Sequence, residues 1–287
     1  MADGRLVVCA TPIGNLGDVT LRVIETLKSA DVIEAEDTRV SRKLLGRYGI
    51  ATPLEPYHAK NLERRTPEVV ARVAAGQIVA LVSDAGTPGV SDPGAVLVDA
   101  CIDAGLRVEV LPGASAILTA LVASGLPTHS FYFGGFLPRK AGDRIRALEK
   151  VATLDATLVF YESPRRTAAT LASLAEALPG RAAVMARELT KLHEEIARGE
   201  VGELAGAIAE RELKGEVVLL VGPPARGQGG EVPSVSAEAL RTQVDALVER
   251  GASRKDAVRA VSERTGVSRN EVYEAAVSVR RHVARER

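Results

Sequence analysis

The stretch Val79-Ala80-Leu81-Val82-Ser83-Asp84-Ala85-Gly86-Thr87-Pro88-Gly89 joins a short apolar run to a loop rich in glycine and proline. Four consecutive apolar residues predict a strand that is buried on both faces. The glycines and the proline that follow predict a rigid turn that ends the strand. Because ligand sites in open α/β sheets lie at the carboxyl ends of strands, this loop is a candidate binding loop.

Similar short apolar runs recur along the chain, separated by turns and helical patterns. Leu21, Ile24 and Leu27, for example, have the spacing of one helix face. The alternation of strands and helices predicts an α/β protein with largely parallel sheets. The other predicted strands are Leu6–Cys9, Val108–Leu111, Phe131–Phe133, Thr157–Phe160, Ala182–Met185 and Val217–Val221.

The chain is long enough for more than one domain. Its 287 residues suggest about two domains, at roughly 150 residues each. We predict one α/β domain over residues 1–123 and a second over residues 124–225. Glycine and proline are abundant near the end of the second domain and indicate a linker at residues 226–233. Residues 234–287 have no strand-like run, which predicts an all-helical domain.

Composition excludes several classes of protein. Lysine plus arginine number 37 and aspartate plus glutamate number 37, so the chain is not a polycation that coats nucleic acid by charge alone. With only Cys9 and Cys101, a disulfide framework or a multi-cysteine metal site is excluded, and no other spacing predicts a metal. No apolar run approaches the roughly 18 residues of a membrane span, and no targeting segment is evident, so we expect a cytoplasmic protein.

Five segments at the ends of predicted strands carry the most specific signal. They are Ala10-Thr11-Pro12-Ile13-Gly14-Asn15-Leu16-Gly17-Asp18, Ala35-Glu36-Asp37-Thr38-Arg39, Leu81-Val82-Ser83-Asp84-Ala85-Gly86-Thr87-Pro88, Leu111-Pro112-Gly113-Ala114-Ser115-Ala116 and Tyr161-Glu162-Ser163-Pro164-Arg165. This set resembles the tetrapyrrole-methylase superfamily and, within it, the branch that methylates ribosomal RNA. The resemblance covers nearly the whole chain, including the helical tail. It departs at Arg165-Arg166, where a second arginine replaces the histidine of the family pattern, so no imidazole role is assigned there.

The resemblance implies a dimeric enzyme that uses S-adenosylmethionine (SAM). It implies methylation of the ribose 2′-hydroxyl of a decoding-region cytidine in 16S ribosomal RNA of the small ribosomal subunit. The implied fold has two α/β domains with mixed and parallel sheets and a C-terminal helix-turn-helix appendage. The cofactor would lie between the two α/β domains, against Pro12, Gly14, Asp84, Gly86, Thr87, Ser115, Ala116, Tyr161 and Val217.

Methyl transfer to a hydroxyl group requires positioning and a proton acceptor. The sulfonium of SAM is already a good leaving group, so much of the work is positioning. A ribose 2′-hydroxyl is a weak acid, and a carboxylate that accepts its proton would help. The candidate catalytic group is Glu36, Asp37, Arg39 and Glu162, with Asp37 or Glu36 preferred as the acceptor. Alternatively, Asp37 and Arg39 cap and brace the start of a helix.

Basic residues suggest where RNA would bind. Arg39, Arg165 and Lys191 would contact RNA, since arginines beside the carboxylates could hold flanking phosphates. The segment Pro138-Arg139-Lys140-Ala141-Gly142-Asp143-Arg144-Ile145-Arg146 is also predicted to contact the RNA backbone, chiefly through Arg139 and Lys140. A solvated helix face is the alternative for this segment.

The helical tail carries a local excess of positive charge. Residues 250–287 contain ten Lys or Arg and five Asp or Glu, an excess of five. Within them, Ala257 and Val261, the Gly266-Val267-Ser268 turn and Val272 follow a helix-turn-helix pattern. This predicts a domain that binds RNA, with a packing or dimerisation element as the alternative.

Two other functions fit parts of the sequence. A methylase that acts on a tetrapyrrole would share the frame but have little use for a basic tail. A regulator that binds DNA through the helix-turn-helix and senses a ligand in the α/β part would bind duplex DNA and transfer no methyl group.

Overall fold

The computed structural model describes residues 4–224, 237–265, 267 and 269–277. The chain divides into two compact units, residues 1–225 and 226–287. The predicted linker at residues 226–233 lies outside the described residues, as do Gly266 and Ser268 of the predicted helix-turn-helix turn.

The first sheet of the first unit is wholly parallel. Its strands are β1 (Arg5–Cys9), β2 (Val32–Ala35), β3 (Leu54–Pro56), β4 (Ile78–Val82) and β5 (Arg107–Leu111), in the order β3-β2-β4-β1-β5. The connecting helices are α1 (Leu21–Ser29), α2 (Thr38–Arg47), α3 (Leu62–Ala74) and α4 (Gly94–Asp103), and α5 (Ala116–Ser124) follows β5. A short 3-10 helix, Leu16–Asp18, precedes α1. Parallel pairing brings the carboxyl ends of all five strands to one edge of the sheet.

The second sheet is mixed. Its strands are β6 (Phe131–Phe136), β7 (Thr157–Glu162), β8 (Ala182–Arg187), β9 (Glu195–Glu200) and β10 (Val217–Val221), in the order β6-β7-β10-β8-β9. Only β6 and β7 pair in parallel, so this sheet departs from the largely parallel pairing predicted from the alternation of strands and helices and confirms the mixed pairing that the resemblance implies. The loop 188–194 that joins β8 to β9 is too short for a parallel crossover, and the two strands pair as a hairpin.

The two sheets are joined through helix α5. On one face of the second sheet, helices α6 (Ala141–Glu149), α7 (Thr167–Ala177) and α8 (Val201–Ile208) cover an apolar cluster that includes Phe160 and Leu219. On the other face, Ala120 and Leu121 of α5 pack against a cluster that includes Leu220. Helix α5 thus fixes one face of the second sheet beside the carboxyl edge of the first sheet.

The second unit is helical over most of the residues that the structure describes in it. Its described helices are α9 (Ala237–Glu249), α10 (Arg254–Thr265) and α11 (Arg269–Val277). Val244, Ala257, Val261 and Val272 are buried in their shared core. Among the residues that the structure describes, no helix is long and apolar enough to cross a membrane.

Candidate active site

A cavity of about 490 Å³ lies where the carboxyl edge of the first sheet meets the second sheet. This volume is within the range of small-molecule sites, roughly 300–1,000 Å³. Residues of the first half that line it include Ile13, Glu36, Asp84, Gly86, Thr87, Asp92, Gly113, Ser115 and Ala116. Residues of the second half include Phe136, Tyr161, Glu162, Leu189, Glu216, Val217 and Val218. The loops that stood out in the sequence therefore form one site.

The turn after β1 contributes less to the wall than the sequence suggests. Pro12 and Gly14 are predicted cofactor contacts, but from this turn the cavity is lined only by Ile13. Gly14 instead allows a close approach of the second half: a Cβ added there would lie 2.6 Å from the Thr190 hydroxyl oxygen. That hydroxyl accepts a hydrogen bond of 3.0 Å from the backbone N–H of Asn15. The turn thus contacts the loop that follows β8.

The β1 and β4 loops are tied together directly below the cavity. Thr11 and Gly86 exchange two backbone hydrogen bonds of 2.9 and 3.0 Å. Gly86 has φ +78°, a left-handed conformation that favours glycine. Asp92 holds the next turn, since its carboxylate accepts hydrogen bonds from the N–H groups of Gly89 (2.7 Å) and Gly94 (2.8 Å). These bonds make the first-half wall rigid.

Asp37 and Arg39 form the helix-cap arrangement. The Asp37 side chain accepts a hydrogen bond of 2.8 Å from the backbone N–H of Arg39, at the start of α2, and one of 2.6 Å from Nη2 of Arg39. The side-chain and backbone hydrogen bonds from Arg39 lower the pKa of Asp37 to about 2. Neither residue lines the cavity. The geometry therefore favours the bracing alternative for this pair, because so weak a base is a poor proton acceptor.

Glu36 has the opposite environment. It is half-buried and lines the cavity. Loss of contact with water raises the pKa of Glu36, and the charges of Asp84 and Asp92 raise it further. Desolvation also raises the pKa of Asp84, with the charges of Asp37, Asp92 and Glu216 adding to it. The carboxylates in this part of the wall therefore bind protons more tightly than carboxylates in water do. A cationic ligand would be favoured here, because its charge would offset the repulsion between them.

Glu162 borders the cavity but its carboxylate has buried partners. The side chain is fully buried and accepts hydrogen bonds from the Thr170 hydroxyl (2.6 Å) and the Ser163 N–H (2.7 Å). Nη2 of Arg166 lies 3.2 Å from the same carboxylate. Arg166 also donates to the carbonyl oxygen of Leu137 at 2.7 Å. Glu162 thus anchors the loop after β6, and this geometry favours an anchoring role over that of a proton acceptor.

The predicted RNA contacts differ in how available their charges are. Arg139, Lys140 and Arg165 are exposed. Lys191, in contrast, forms ion pairs with Glu188 (2.7 Å) and Glu216 (2.9 Å). These hydrogen bonds outweigh the effect of desolvation and raise the pKa of Lys191. Its ammonium group stabilises the corner of the second sheet beside the cavity.

One cation of the predicted basic segment is a core residue. Arg144 is buried and donates to the Ser173 hydroxyl (2.9 Å) and to the carbonyl oxygens of Ala169 (3.1 Å) and Arg139 (3.2 Å). Its charge is therefore unavailable to RNA, although it belongs to the segment predicted to contact the RNA backbone. In the helical unit, Arg259 pairs with Asp256 at 3.1 Å.

The loop after β8 places an apolar residue that the sequence did not single out. Leu189 lines the cavity between two residues with left-handed backbone, Glu188 (φ 52°) and Thr190 (φ 65°). Such strain in residues other than glycine persists only when the surroundings hold it. Here Lys191 and the backbone N–H of Glu216 both donate to the Glu188 carboxylate. The sequence gives no local signal for this conformation.

Comparison with known proteins identifies the family. The profile of the tetrapyrrole (corrin/porphyrin) methylases matches residues 5–205. The chain is 52% identical over 223 residues to "Ribosomal RNA small subunit methyltransferase I" of Mesorhizobium japonicum, covering 77% of this chain and 76% of that protein. It is 43% identical to the protein of the same name from Synechocystis, covering 96% of this chain and 98% of the relative. The chain belongs to the tetrapyrrole methylase family.

Solved structures agree with the fold of this methylase. The methyltransferase CobJ is 26% identical with a TM-score of 0.59, covering 77% of this chain and 94% of that chain. A uroporphyrin-III C-methyltransferase from Thermus thermophilus, complexed with S-adenosylhomocysteine (SAH), has a TM-score of 0.55 at 22% identity, covering 76% of this chain and 97% of that chain. The predictions of fold class, of methyltransferase activity and of SAM as cofactor are confirmed.

The cavity of the methylase fits SAM chemically. The cofactor carries a sulfonium and an ammonium group, and besides the buried Glu162 four carboxylates line the wall: Glu36, Asp84, Asp92 and Glu216. Tyr161 and Val218 provide an apolar surface for an aromatic ring system on the other side, whereas the Val217 side chain packs on the opposite face of the second sheet and leaves only its backbone toward the cavity. Among the described residues, no group of three or more His, Cys, Asp or Glu side chains is placed to hold a metal ion.

Proposed function

We propose that this methylase transfers a methyl group from SAM to the ribose 2′-hydroxyl of a decoding-region cytidine in 16S rRNA of the small ribosomal subunit. The name shared by the curated relatives supports ribosomal RNA as the substrate. The observation that carries the hydroxyl assignment is Glu36, a carboxylate of raised pKa on the cavity wall. Such a group can take the proton of a weakly acidic alcohol.

The side chains divide the work of the reaction. SAM, when bound, would supply an electrophilic methyl group on a sulfonium that becomes a neutral thioether once the methyl has passed to the ribose oxygen. Glu36 accepts the proton that the ribose hydroxyl loses. Asp84 and Asp92 balance the positive charge of the cofactor and hold it for in-line attack. Asp37 and Arg39 keep the start of α2, and with it Glu36, in place.

The cofactor contacts follow from the two walls. Asp84, Gly86 and Thr87 hold the methionine part through carboxylate and backbone groups. Ser115 and Ala116 contact the cofactor from the start of α5, where the Ser115 hydroxyl accepts from the Leu118 N–H at 3.4 Å. Tyr161 and Val217 hold the adenosine, Tyr161 through its ring and Val217 through its backbone, because the Val217 side chain lies on the opposite face of the sheet and Val218 is the residue paired with Tyr161.

RNA binds through the exposed cations around the cavity. Arg139, Lys140 and Arg165 contact phosphates, because they are exposed on loops that follow β6 and β7. Lys191 supports the wall instead, given its two ion pairs. The helical unit adds RNA-binding surface through the basic residues of α10 and beyond. Small ribosomal subunits are cytoplasmic, so we place the enzyme there.

A second copy of the chain covers an apolar patch of the first half. Several large apolar side chains there are at least half exposed and lie outside the cavity lining, among them Leu21 (77%), Val110 (56%) and Val122 (75%). Val110 lies on β5, an edge strand, and edge strands and apolar patches are common interaction sites. We propose a homodimer, which sedimentation of the full chain tests. A monomer at micromolar concentration would contradict it.

Matched substitutions at two neighbouring carboxylates test the acceptor assignment. Glu36→Gln keeps the shape but removes the base, and kcat with small ribosomal subunits should fall by about 10²- to 10⁴-fold. Asp37→Asn is the control: asparagine caps a helix as well as aspartate does, and kcat should stay within a few-fold. An unchanged kcat for Glu36→Gln, or a larger loss for Asp37→Asn, would refute Glu36 as the acceptor.

A further inference from the structure

Phe136 is an aromatic side chain at the mouth of the cavity. It lines the cavity and is nevertheless 56% exposed. Its ring lies 5.6 Å from that of Tyr161, which itself lies deeper in the wall. Exposed apolar side chains that cluster at the opening of a site, as Phe136 does with Val90 and Leu118, mark a ligand-binding surface.

The backbone of β6 is built to place this ring. Phe133 and Phe136 are an odd number of residues apart, which in a regular strand would put them on opposite faces. The pairing with β7 shifts register between them, at Gly134 and Gly135, so that both rings lie beside Tyr161. Gly135 has φ +61°. A bulge of this kind re-aims a side chain, here into the cavity mouth.

Gly134 itself cannot carry a side chain in this arrangement. An added Cβ would lie 2.5 Å from the ring of the buried Phe160, which is too close for any real contact. The bulge therefore needs both glycines, Gly134 because it lies against the ring of Phe160 and Gly135 because of its left-handed backbone angle.

The residues around Phe136 favour an apolar ligand group over a negatively charged one. Val90 and Leu118 also line the cavity and are 39% and 53% exposed, so the rim is apolar on several sides. The acidic wall formed by Glu36, Asp84, Asp92 and Glu216 repels phosphate. A ligand group seated on this rim is consequently flat, apolar and uncharged.

The chain that follows Phe136 presents positive charge outside the cavity. Leu137 is buried, and Arg166 donates to its carbonyl oxygen at 2.7 Å. The carbonyl oxygen of Arg139 accepts from Arg144 at 3.2 Å. Exposed Arg139 and Lys140 are thus held on a loop that begins immediately after the aromatic ring. An RNA strand with its phosphates on this loop carries its bases toward Phe136.

We propose that Phe136 stacks on the base of the nucleotide whose ribose is methylated, and so positions the 2′-hydroxyl for transfer. The inference rests on the proposed function, since it assigns a contact to the nucleotide bound there. A stacked base is flat and uncharged, as the rim requires, and its backbone reaches the basic loop. Base–aromatic stacking is sequence-tolerant, so Phe136 fixes position and leaves base identity to other groups.

Substitutions at Phe136 in the full-length enzyme test this contact with small ribosomal subunits as substrate. Phe136→Leu removes the ring and keeps an apolar side chain, and kcat/KM for the subunit should fall by about 5- to 150-fold, the range for loss of one base stack. Phe136→Trp should restore it to within a few-fold. SAH affinity, measured by calorimetry, should be unchanged in both. The matched control is Phe131→Leu, on the same strand and 43% exposed but outside the cavity lining.

Four outcomes would overturn the proposal. They are an unchanged kcat/KM for Phe136→Leu, an equal loss of SAH affinity, failure of Phe136→Trp to restore activity, and a change of sedimentation coefficient that places the ring in an interface between copies. A thermal unfolding midpoint matching that of Phe131→Leu excludes misfolding as the cause. The proposed function fails separately if the wild-type enzyme transfers no methyl group to the subunit.

Discussion

Replacement of Thr170 by valine tests whether Glu162 anchors the fold. The substitution preserves shape but removes one hydrogen bond, of 2.6 Å, to a carboxylate that is fully buried. Loss of a hydrogen bond to a charged group costs roughly 1.5–3 kcal/mol. In a unit of this size, 1 kcal/mol lowers the unfolding midpoint by about 2–4 °C. We therefore expect the midpoint to fall by about 3–12 °C.

The assay is thermal unfolding of the full chain followed by circular dichroism, with methyl transfer measured well below the transition. Because Arg166 and the Ser163 N–H still hold the Glu162 carboxylate, turnover should be nearly unchanged. Thr26→Val on α1, where the side chain is half-exposed, is the control and should shift the midpoint little. An unchanged midpoint for Thr170→Val, or a turnover as low as that expected for Glu36→Gln, would refute the anchoring role.

Three further predictions concern the two walls and the RNA surface. Gly86→Ala places a residue with a Cβ in a left-handed conformation and should lower the free energy of unfolding by about 1–2 kcal/mol, measured by denaturant titration. An unchanged free energy of unfolding would show that this position does not require glycine. SAM affinity should fall as the pH drops through the raised pKa of Glu36, because protonation removes a negative charge that attracts the cationic cofactor. Calorimetry in two buffers should show that binding releases protons. An affinity that does not depend on pH would contradict this. Exchanging both Arg139 and Lys140 for glutamine should make the slope of log RNA affinity against log salt concentration shallower by roughly 1.4–1.8, because two phosphate contacts are lost. Lys150→Gln is the control.

The apolar strands were predictable because each is a short, uninterrupted run of apolar residues, a pattern that indicates burial on both faces of a sheet. Val79–Val82 and Val217–Val221 are buried on both faces, and their shortness, their valines and the glycine or proline that follows favour a strand. The edge strand β9, Glu195–Glu200, escaped prediction because it is half-exposed and mostly polar. The antiparallel pairing in the second sheet was also not predicted from these runs, because pairing depends on which strands, distant in the sequence, become neighbours in the fold.

The site was predictable in outline because parallel strands bring their carboxyl ends together. Asp84, Ser115 and Tyr161 were each identified from their own loops, and the fold brings them to one cavity. The roles of individual charges were harder to predict. Glu162 is a catalytic candidate by sequence and Arg144 belongs to the predicted RNA-binding segment, and only their buried partners show that they support the loop after β6.

The identity of the methylated nucleoside tests the central claim most directly. Small ribosomal subunits that lack the modification are incubated with the full-length enzyme and SAM carrying a labelled methyl group, and the 16S rRNA is then digested to nucleosides. The account predicts that the label is recovered as 2′-O-methylcytidine, and that Glu36→Gln greatly reduces its rate of formation. Label on a base, or no transfer to the RNA, would contradict the account.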